Sequence, residues 1–316
     1  MKALKVRDGV PALVEVPTPE LGTNDVLVDV TAVGVSQADF AVPTNDDVTP
    51  GRRFAGTVAA IGHAVSRFQV GDVVVSAPPG PCGACGACLR GSDAYCSRAD
   101  LLYAGIRPGI DVDGGLAGQV AVSELFLTLA PELDFAVAAL ASDIGVHAMH
   151  AIRSAGDALT PGNTIAVLGS SALAAYAQVL LEATTAVQVL AITDYSAANQ
   201  ARVLADFAAE GIVGVLVMDR AQAACDFAVA IAGTGSSTVL SSNGEGEALV
   251  QPMPVMRYEA CVCAIEYANR ADLIELLKVL KLWSLEVEHP RVCLDEFASF
   301  DAQRLSAIEP GLVVVV

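Results

Sequence analysis

No segment constrains the chain more than PCGACGACLRGSDAYC, which holds four of its eight cysteines, Cys82, Cys85, Cys88 and Cys96. Two Cys-x-x-Cys steps share Cys85, and a fourth thiol follows after one further turn of loop. Gly83, Gly86 and Gly91 supply the backbone freedom that such a loop needs. This spacing can close four thiolates around a tetrahedral zinc, and the competing reading is a set of free thiols or a disulfide pair. Four sulfurs fill the coordination sphere and leave no position for substrate, so a zinc held here is structural.

The 316 residues allow roughly two domains, and 53% hydrophobic content is ample for a large core. A formal net charge of -18 repels phosphate backbones and anionic lipid, so neither nucleic acid nor a membrane surface is an expected partner. MKALKVRDGV has no apolar run behind its charges, and no segment reaches ~18 uninterrupted apolar residues, so no signal peptide or membrane span is indicated. The expected location is the cytoplasm, where clustered cysteines favour metal over disulfides.

The first part of the chain is Val-rich and turn-rich, with DVLVDVTAVGVS, GTVAAIG, GDVVVS and GGLAGQVAVS bounded by Gly and Asp, and it reads as an all-β unit. After Pro131 the texture changes to an Ala-rich helical stretch, DFAVAALASDIGVHAMHAIRSAG. TIAVLGSSALAAYAQVLLEA then gives a buried strand, a turn of small residues and a helix, and VQVLAIT a second strand. That β-turn-α-β order opens a dinucleotide-type parallel sheet.

These motifs, in this order, resemble the zinc-containing alcohol dehydrogenase branch of the medium-chain dehydrogenase/reductase superfamily, strongly diverged. VGVSQADF stands where that family has Val-Gly-Val-Cys-His-Thr-Asp, and PGRRFAG where it has Pro-Gly-His-Glu-Phe-Ala-Gly. VGDVV, the cysteine lobe, DGGLAGQV and SDIGVHAMHAI follow in the family's order. The resemblance implies an α/β protein with an N-terminal GroES-like β domain, 1–145 with 268–316, carrying the lobe at 82–96. The second domain, 146–267, is a shortened Rossmann domain, a doubly wound parallel sheet. From ARVLADFAAEGIVGVLVMD onward the chain passes from the second helix straight to the family's fourth strand, omitting an outer strand and helix. The family works in the cleft between its domains.

The family's catalytic zinc ligands fall, by the same resemblance, on Ser36 for cysteine, Arg52 for histidine, Arg53 for the nearby glutamate and Asp143 for the remaining ligand. Guanidinium groups are cations that do not ligate metal, so a catalytic zinc is not expected. Ala38 stands where the family keeps a proton-relay hydroxyl. Without a divalent ion Asp143 needs a countercharge, and pairing with Arg52 is the expected replacement. The other arginine either polarises a carbonyl or receives a carboxylate, or it points to solvent. His147 falls on a family threonine near the nicotinamide, where it is a candidate general acid or base or a packed helix histidine. His150 reads as packed, and His63 and His289 carry no assignment.

The family's Gly-x-Gly-x-x-Gly reads here as Gly169, Ser170, Ser171, Ala172, Leu173, Ala174. Ser171 puts a side chain where the backbone should approach a pyrophosphate, whereas Ala174 is tolerable for packing. Thr193 replaces the acid that holds the adenosine ribose. Asp194, one place later, turns to the other face. NAD(P)H binding is therefore expected to be weakened or lost. Two readings stay open: a carbonyl or enone reductase without catalytic zinc, and a repurposed non-redox enzyme such as a cyclase, dehydratase or isomerase of secondary metabolism. Both take a small organic substrate. Cys225 reads as core. Cys261 and Cys263 share one face of a late strand through which family members commonly pair, so a homodimer is expected.

Overall fold

The computed structural model describes residues 1–316 apart from 8–9, 42–47, 78–83, 91, 99–106, 131, 208–210, 220, 242–258, 266–267, 286 and 309–310. The chain divides into two compact units, Met1–Val146 with Asn269–Val316, and His147–Ala268.

The first unit opens with an antiparallel hairpin of β1 (Lys2–Arg7) and β2 (Val10–Glu15). The long strand β3 (Asp25–Val35) follows, then the short helix α1 (Ala38–Ala41) and β4 (Arg53–Ile61). β5 (Val73–Ser76), the one-turn helix α2 (Gly86–Leu89), β6 (Gln119–Ser123) and β7 (Leu127–Leu129) complete the N-terminal part. In β3 the core valines are Val26, Val28 and Val30 and then Val33 and Val35, a change of parity. The ladder to β4 shifts register between Val30 and Ala32, and one extra residue there turns the alternation over so that both halves of the strand feed the same core. Phe54, Leu116, Leu127, Phe297 and Val314 close around these valines, each fully buried apolar side chain contributing about 2 kcal/mol.

Helix α3 (Phe135–Leu140) is capped by Asp134, whose carboxylate accepts from Ala136 N and Val137 N. It runs through a π-type turn, Ala141–Gly145, into α4 (Val146–Ser154). The whole stretch Phe135–Ser154 is long and apolar enough to cross a membrane, but 78% of its apolar window is buried inside the protein, as in a core helix.

The second unit is a parallel sheet. β8 (Thr164–Leu168) leads to α5 (Ala172–Thr184), β9 (Gln188–Ile192) to α6 (Ala197–Asp206), and β10 (Ile212–Val217) to α7 (Gln222–Ile231). β11 (Ala232–Leu240) and β12 (Cys261–Ala264) follow. The order is β12-β11-β10-β8-β9, all parallel, with both edges open among the described residues. Every residue of β8 is buried, as expected of a strand covered on both faces, whereas β9 is partly exposed at its edge. Cys225 sits against the margin of this core rather than within it.

The chain then returns to the first unit through α8 (Arg270–Trp283), β13 (Arg291–Cys293) and β14 (Leu312–Val315). The sheet there is ordered β13-β14-β3-β4-β5-β7, with β6 paired to the other end of β3. Together the units are the α/β combination that the motifs predict.

Candidate active site

The sequence PGRRF becomes a pinned turn at the start of β4. Gly114 N donates to Thr49 O at 2.7 Å, Gly115 N to Gly51 O at 2.7 Å and Leu116 N to Pro50 O at 3.1 Å. Asp113 adds a side-chain anchor, accepting from Thr49 N at 2.7 Å and from Lys5 Nζ at 2.8 Å. The DGGL segment therefore holds the backbone from which the two arginines project.

Arg52 lies in the bend before β4 and Arg53 is its first residue, and the two reach different carboxylates. Arg52 Nε donates to Asp39 Oδ1 at 2.8 Å, and Arg53 Nε lies 3.0 Å from Asp143 Oδ1. Asp39 sits on α1 with its side chain fully buried, and its Oδ2 accepts from Ser36 N at 3.0 Å and Ser36 Oγ at 3.2 Å. Asp143 is buried within the π-type turn, a kind of helix distortion frequent at functional sites. Gly34 lets that turn approach: it faces Arg53 across the β3–β4 ladder, and a Cβ on it would come within 3.3 Å of Asp143 Cβ and 3.2 Å of Ala139 O. Ser142 Oγ, 3.4 Å from Ser76 Oγ, and Phe54 N, which donates to Ser76 Oγ at 2.9 Å, tie the turn to β4 and β5.

The two carboxylates are pushed apart. Burial by itself raises Asp39, but the Arg52 and Arg53 guanidiniums and the Ser36 N–H hold it net below the usual carboxylate range. Burial dominates at Asp143 and, with the charge of Asp39 adding to it, holds the carboxyl above that range although Arg53 pulls it down. Arg53 Nη1 and Asp143 Oδ2, the outer atoms of one ion pair, are both buried with no hydrogen-bond partner.

Ser36, Arg52, Arg53 and Asp143 are thus brought together. The expected pairing of Arg52 with Asp143 is corrected: Arg53 makes that ion pair, and it does not point to solvent. Sequence reasoning missed Asp39, although SQADF was in view and two arginines in an acidic chain call for two carboxylates. His147 begins the second unit. The alcohol dehydrogenase resemblance implies a catalytic zinc, but two guanidiniums, each already held by a carboxylate, do not fit one.

In the lobe, the sulfurs of Cys85, Cys88 and Cys96 lie within 4.8 Å of one another, and Cys85 Sγ is 3.4 Å from Cys88 Sγ. Bonds of about 2.3 Å from sulfur to a tetrahedral zinc put the sulfurs about 3.8 Å apart, so the set fits that ion. The backbone N–H groups of Cys88 and Ser97 pull the Cys85 thiol down to about 5, so it is a thiolate near neutral pH, as ligation requires. Cys82, the fourth expected ligand, lies outside the described residues.

At the carboxyl end of β8, Gly169 takes φ +132°, a conformation that needs glycine, and a Cβ there would stand 3.0 Å from Met218 O. Ser171 is the N-cap of α5: its hydroxyl accepts from Ala174 N at 3.3 Å and donates to Met218 O at 3.2 Å. Asp194 is occupied with Ser196, accepting from its N at 2.9 Å and its Oγ at 3.0 Å, as a local cap before α6. Thr193 is exposed. Tyr195, also missed from the sequence, donates to Asp219 Oδ2 at 2.8 Å beside the same strand end. The glycine turn and the helix N-terminus still fit the pyrophosphate of a dinucleotide, with one helix donor taken by Ser171 and no carboxylate free at Asp194 for the ribose.

Residues 22–132 match the family described as the alcohol dehydrogenase GroES-like domain. Sorbitol dehydrogenase of Bacillus subtilis is 31% identical over 165 residues, 48% of this chain and 44% of that protein. L-threonine 3-dehydrogenase of the same organism is 29% identical over 204 residues, 61% and 56%. The matches thus span about half the length of these relatives. The structure of alcohol dehydrogenase TADH from Thermus sp. ATN1 aligns over all of both chains with a TM-score of 0.81 at 21% identity, a likeness of fold. Residues 22–132 are thus similar to the GroES-like domain of alcohol dehydrogenases, about half of the chain is similar to sorbitol and threonine dehydrogenases, and the fold as a whole is that of an alcohol dehydrogenase.

Proposed function

We propose that the protein is a dehydrogenase-like enzyme that reduces a carbonyl or enone group of a small organic molecule with NAD(P)H and without a catalytic zinc. The observation that supports this most is Arg53, whose Nη1 is buried without a partner while Nε is held by Asp143. A guanidinium fixed in this way is a preorganised donor for an oxygen that gains negative charge, the part a metal ion plays as electrophile. Asp143 aims Arg53, Asp39 aims Arg52, and Ser36 fixes Asp39. The turn at Gly169 and the start of α5 would hold the dinucleotide, which supplies a hydride when bound. One structural zinc on Cys82, Cys85, Cys88 and Cys96, a homodimer using the β12 edge with Cys261 and Cys263, and a cytoplasmic location complete the proposal.

A second reading, non-redox acid-base chemistry at the same residues, is favoured by the cap that Ser171 makes and by the occupied Asp194. Calorimetric titration with NADH and NADPH, followed by nicotinamide absorbance with cyclohexanone and 2-cyclohexenone, separates the two. Sub-micromolar binding and turnover support reduction. No binding at millimolar nucleotide moves the function to the second reading.

A further inference from the structure

We propose that Asp143 Oδ2 is the proton-transfer atom of this site and that Arg53 Nη1 and Asp143 Oδ2 together bind one substrate oxygen, a hydroxyl or the carbonyl related to it. The proposal rests on the placement of the active site at this cluster, and it holds for either the redox or the non-redox reading.

The two atoms are a donor and an acceptor left over from the same ion pair. Arg53 uses Nε and Asp143 uses Oδ1 on each other at 3.0 Å, and Nη1 and Oδ2, each two bonds away from those atoms, are buried with nothing to bond. Leaving two polar atoms buried and unmatched is costly, and it recurs where a ligand completes the set. A hydroxyl oxygen satisfies both at once, accepting from Nη1–H and donating to Oδ2. In the carbonyl direction Nη1–H polarises the oxygen, and a protonated Oδ2 would give up its proton to the oxygen as the C=O π pair moves onto it and the carbon accepts the hydride that NAD(P)H would supply. The bond broken is Oδ2–H, the bond formed is substrate O–H, and Asp143 is left as a carboxylate beside Arg53. For a hydroxyl leaving as water, the same proton moves to the oxygen as the C–O bond breaks, while a neighbouring C–H bond gives its pair to the new C=C bond and its proton to solvent water.

The groups around Asp143 suit that exchange. Arg53 at the start of β4, Arg52 in the bend before it and Asp39 from α1 act on its charge, and His147 follows four residues on along the helix. Asp39 is held ionised by Arg52 and Ser36, so it keeps the local charge fixed while Asp143 gains and loses a proton. A carboxyl that burial and a neighbouring carboxylate hold above the usual range gives up its proton nearer neutral pH than a free one.

The test uses the full chain and 2,2,2-trifluoroethanol, an alcohol whose fluorine signal reports binding, with Asp143→Asn, Arg53→Lys and Arg53→Met variants checked for fold by circular dichroism. Infrared difference spectra across a pH titration are expected to show a protonated carboxyl band that vanishes in Asp143→Asn. Trifluoroethanol affinity is expected to fall at least tenfold in Asp143→Asn and Arg53→Met and less in Arg53→Lys. If Arg53→Met does not fold, Arg53→Lys and Asp143→Asn carry the comparison. No titrating band at Asp143, or alcohol binding equal in wild type and Asp143→Asn, overturns the proposal, even if NADPH-dependent reduction is found. Band and binding as expected with no nicotinamide turnover uphold it and remove the redox reading.

Discussion

The cysteine lobe and the arginine cluster are two places where the family resemblance implies a metal, and they have taken opposite courses. The lobe gathers three thiols at ligand distances, one already acidified by backbone N–H groups. The other place presents two cations and two carboxylates arranged as ion pairs. Losing the structural ion would leave a short, loop-rich segment without a core of its own, which side chains cannot easily replace. Replacing the catalytic ion needs only equal charge at the same depth, because the surrounding strands and helix are built by packing that does not involve it. The comparison teaches that a metal which organises a fold is harder to substitute than one which organises a charge.

The largest effect expected is at the lobe. Cys88→Ser should drop zinc from one per chain and cost on the order of 5 kcal/mol of stability, a fraction of what a structural zinc contributes. Elemental analysis and thermal unfolding check this, and two zincs per wild-type chain would erase the contrast between the regions.

Next comes the cluster. Arg53→Met strands Asp143 and Arg52→Met strands Asp39, and each should cost about 3 kcal/mol, the scale for breaking a buried pair. The double variant Arg53→Met with Asp143→Asn should recover much of that loss in a denaturant double-mutant cycle. Additive losses would mean that the pair does not act as a unit.

Smaller, and signed, is the pH dependence. Asp143 has a folded-state pKa above its unfolded value, so its stabilising share is present in acid and is lost as pH rises from about 4 through the raised value. Asp39 is shifted the other way, so its share is present above about 4 and is lost as pH falls through its lowered value. Asp143→Asn removes only the first. Its stability relative to wild type should therefore improve as pH rises through that window, measured by urea midpoints at successive pH values. A constant gap would make the two carboxylates equivalent.

The smallest effect concerns the dinucleotide turn. Ser171→Gly frees the α5 donor and should strengthen NADH binding by at most about tenfold, ~1.4 kcal/mol, with helix stability changed by only a few tenths of a kcal/mol. Calorimetry decides it, and unchanged affinity would mean that Ser171 does not limit binding.

Much of this was legible in the sequence. Cys-x-x-Cys spacing, the Val-rich strands and the β-turn-α order are local patterns, and local patterns follow from local stereochemistry. The reach of Arg52 and Arg53 was not legible, because two neighbours in sequence look interchangeable until the fold sets a different carboxylate beside each. Asp39 escaped for a related reason: its importance lies in being buried against Arg52, 13 residues away in sequence, and nothing local marks it.

By itself, then, the sequence determined the composition of the two regions: four thiols in a loop at one, and Ser36, Arg52, Arg53 and Asp143 at the other. Tertiary structure decided the pairing and the direction in which each carboxylate's pKa moves. The β3–β4 register, the close approach allowed at Gly34 and the π-type turn set which guanidinium meets which carboxylate. Depth of burial, a property of the whole packed unit, then separates one ionised carboxylate from one that can hold a proton, because desolvation depends on everything that surrounds a group and not on its neighbours in sequence.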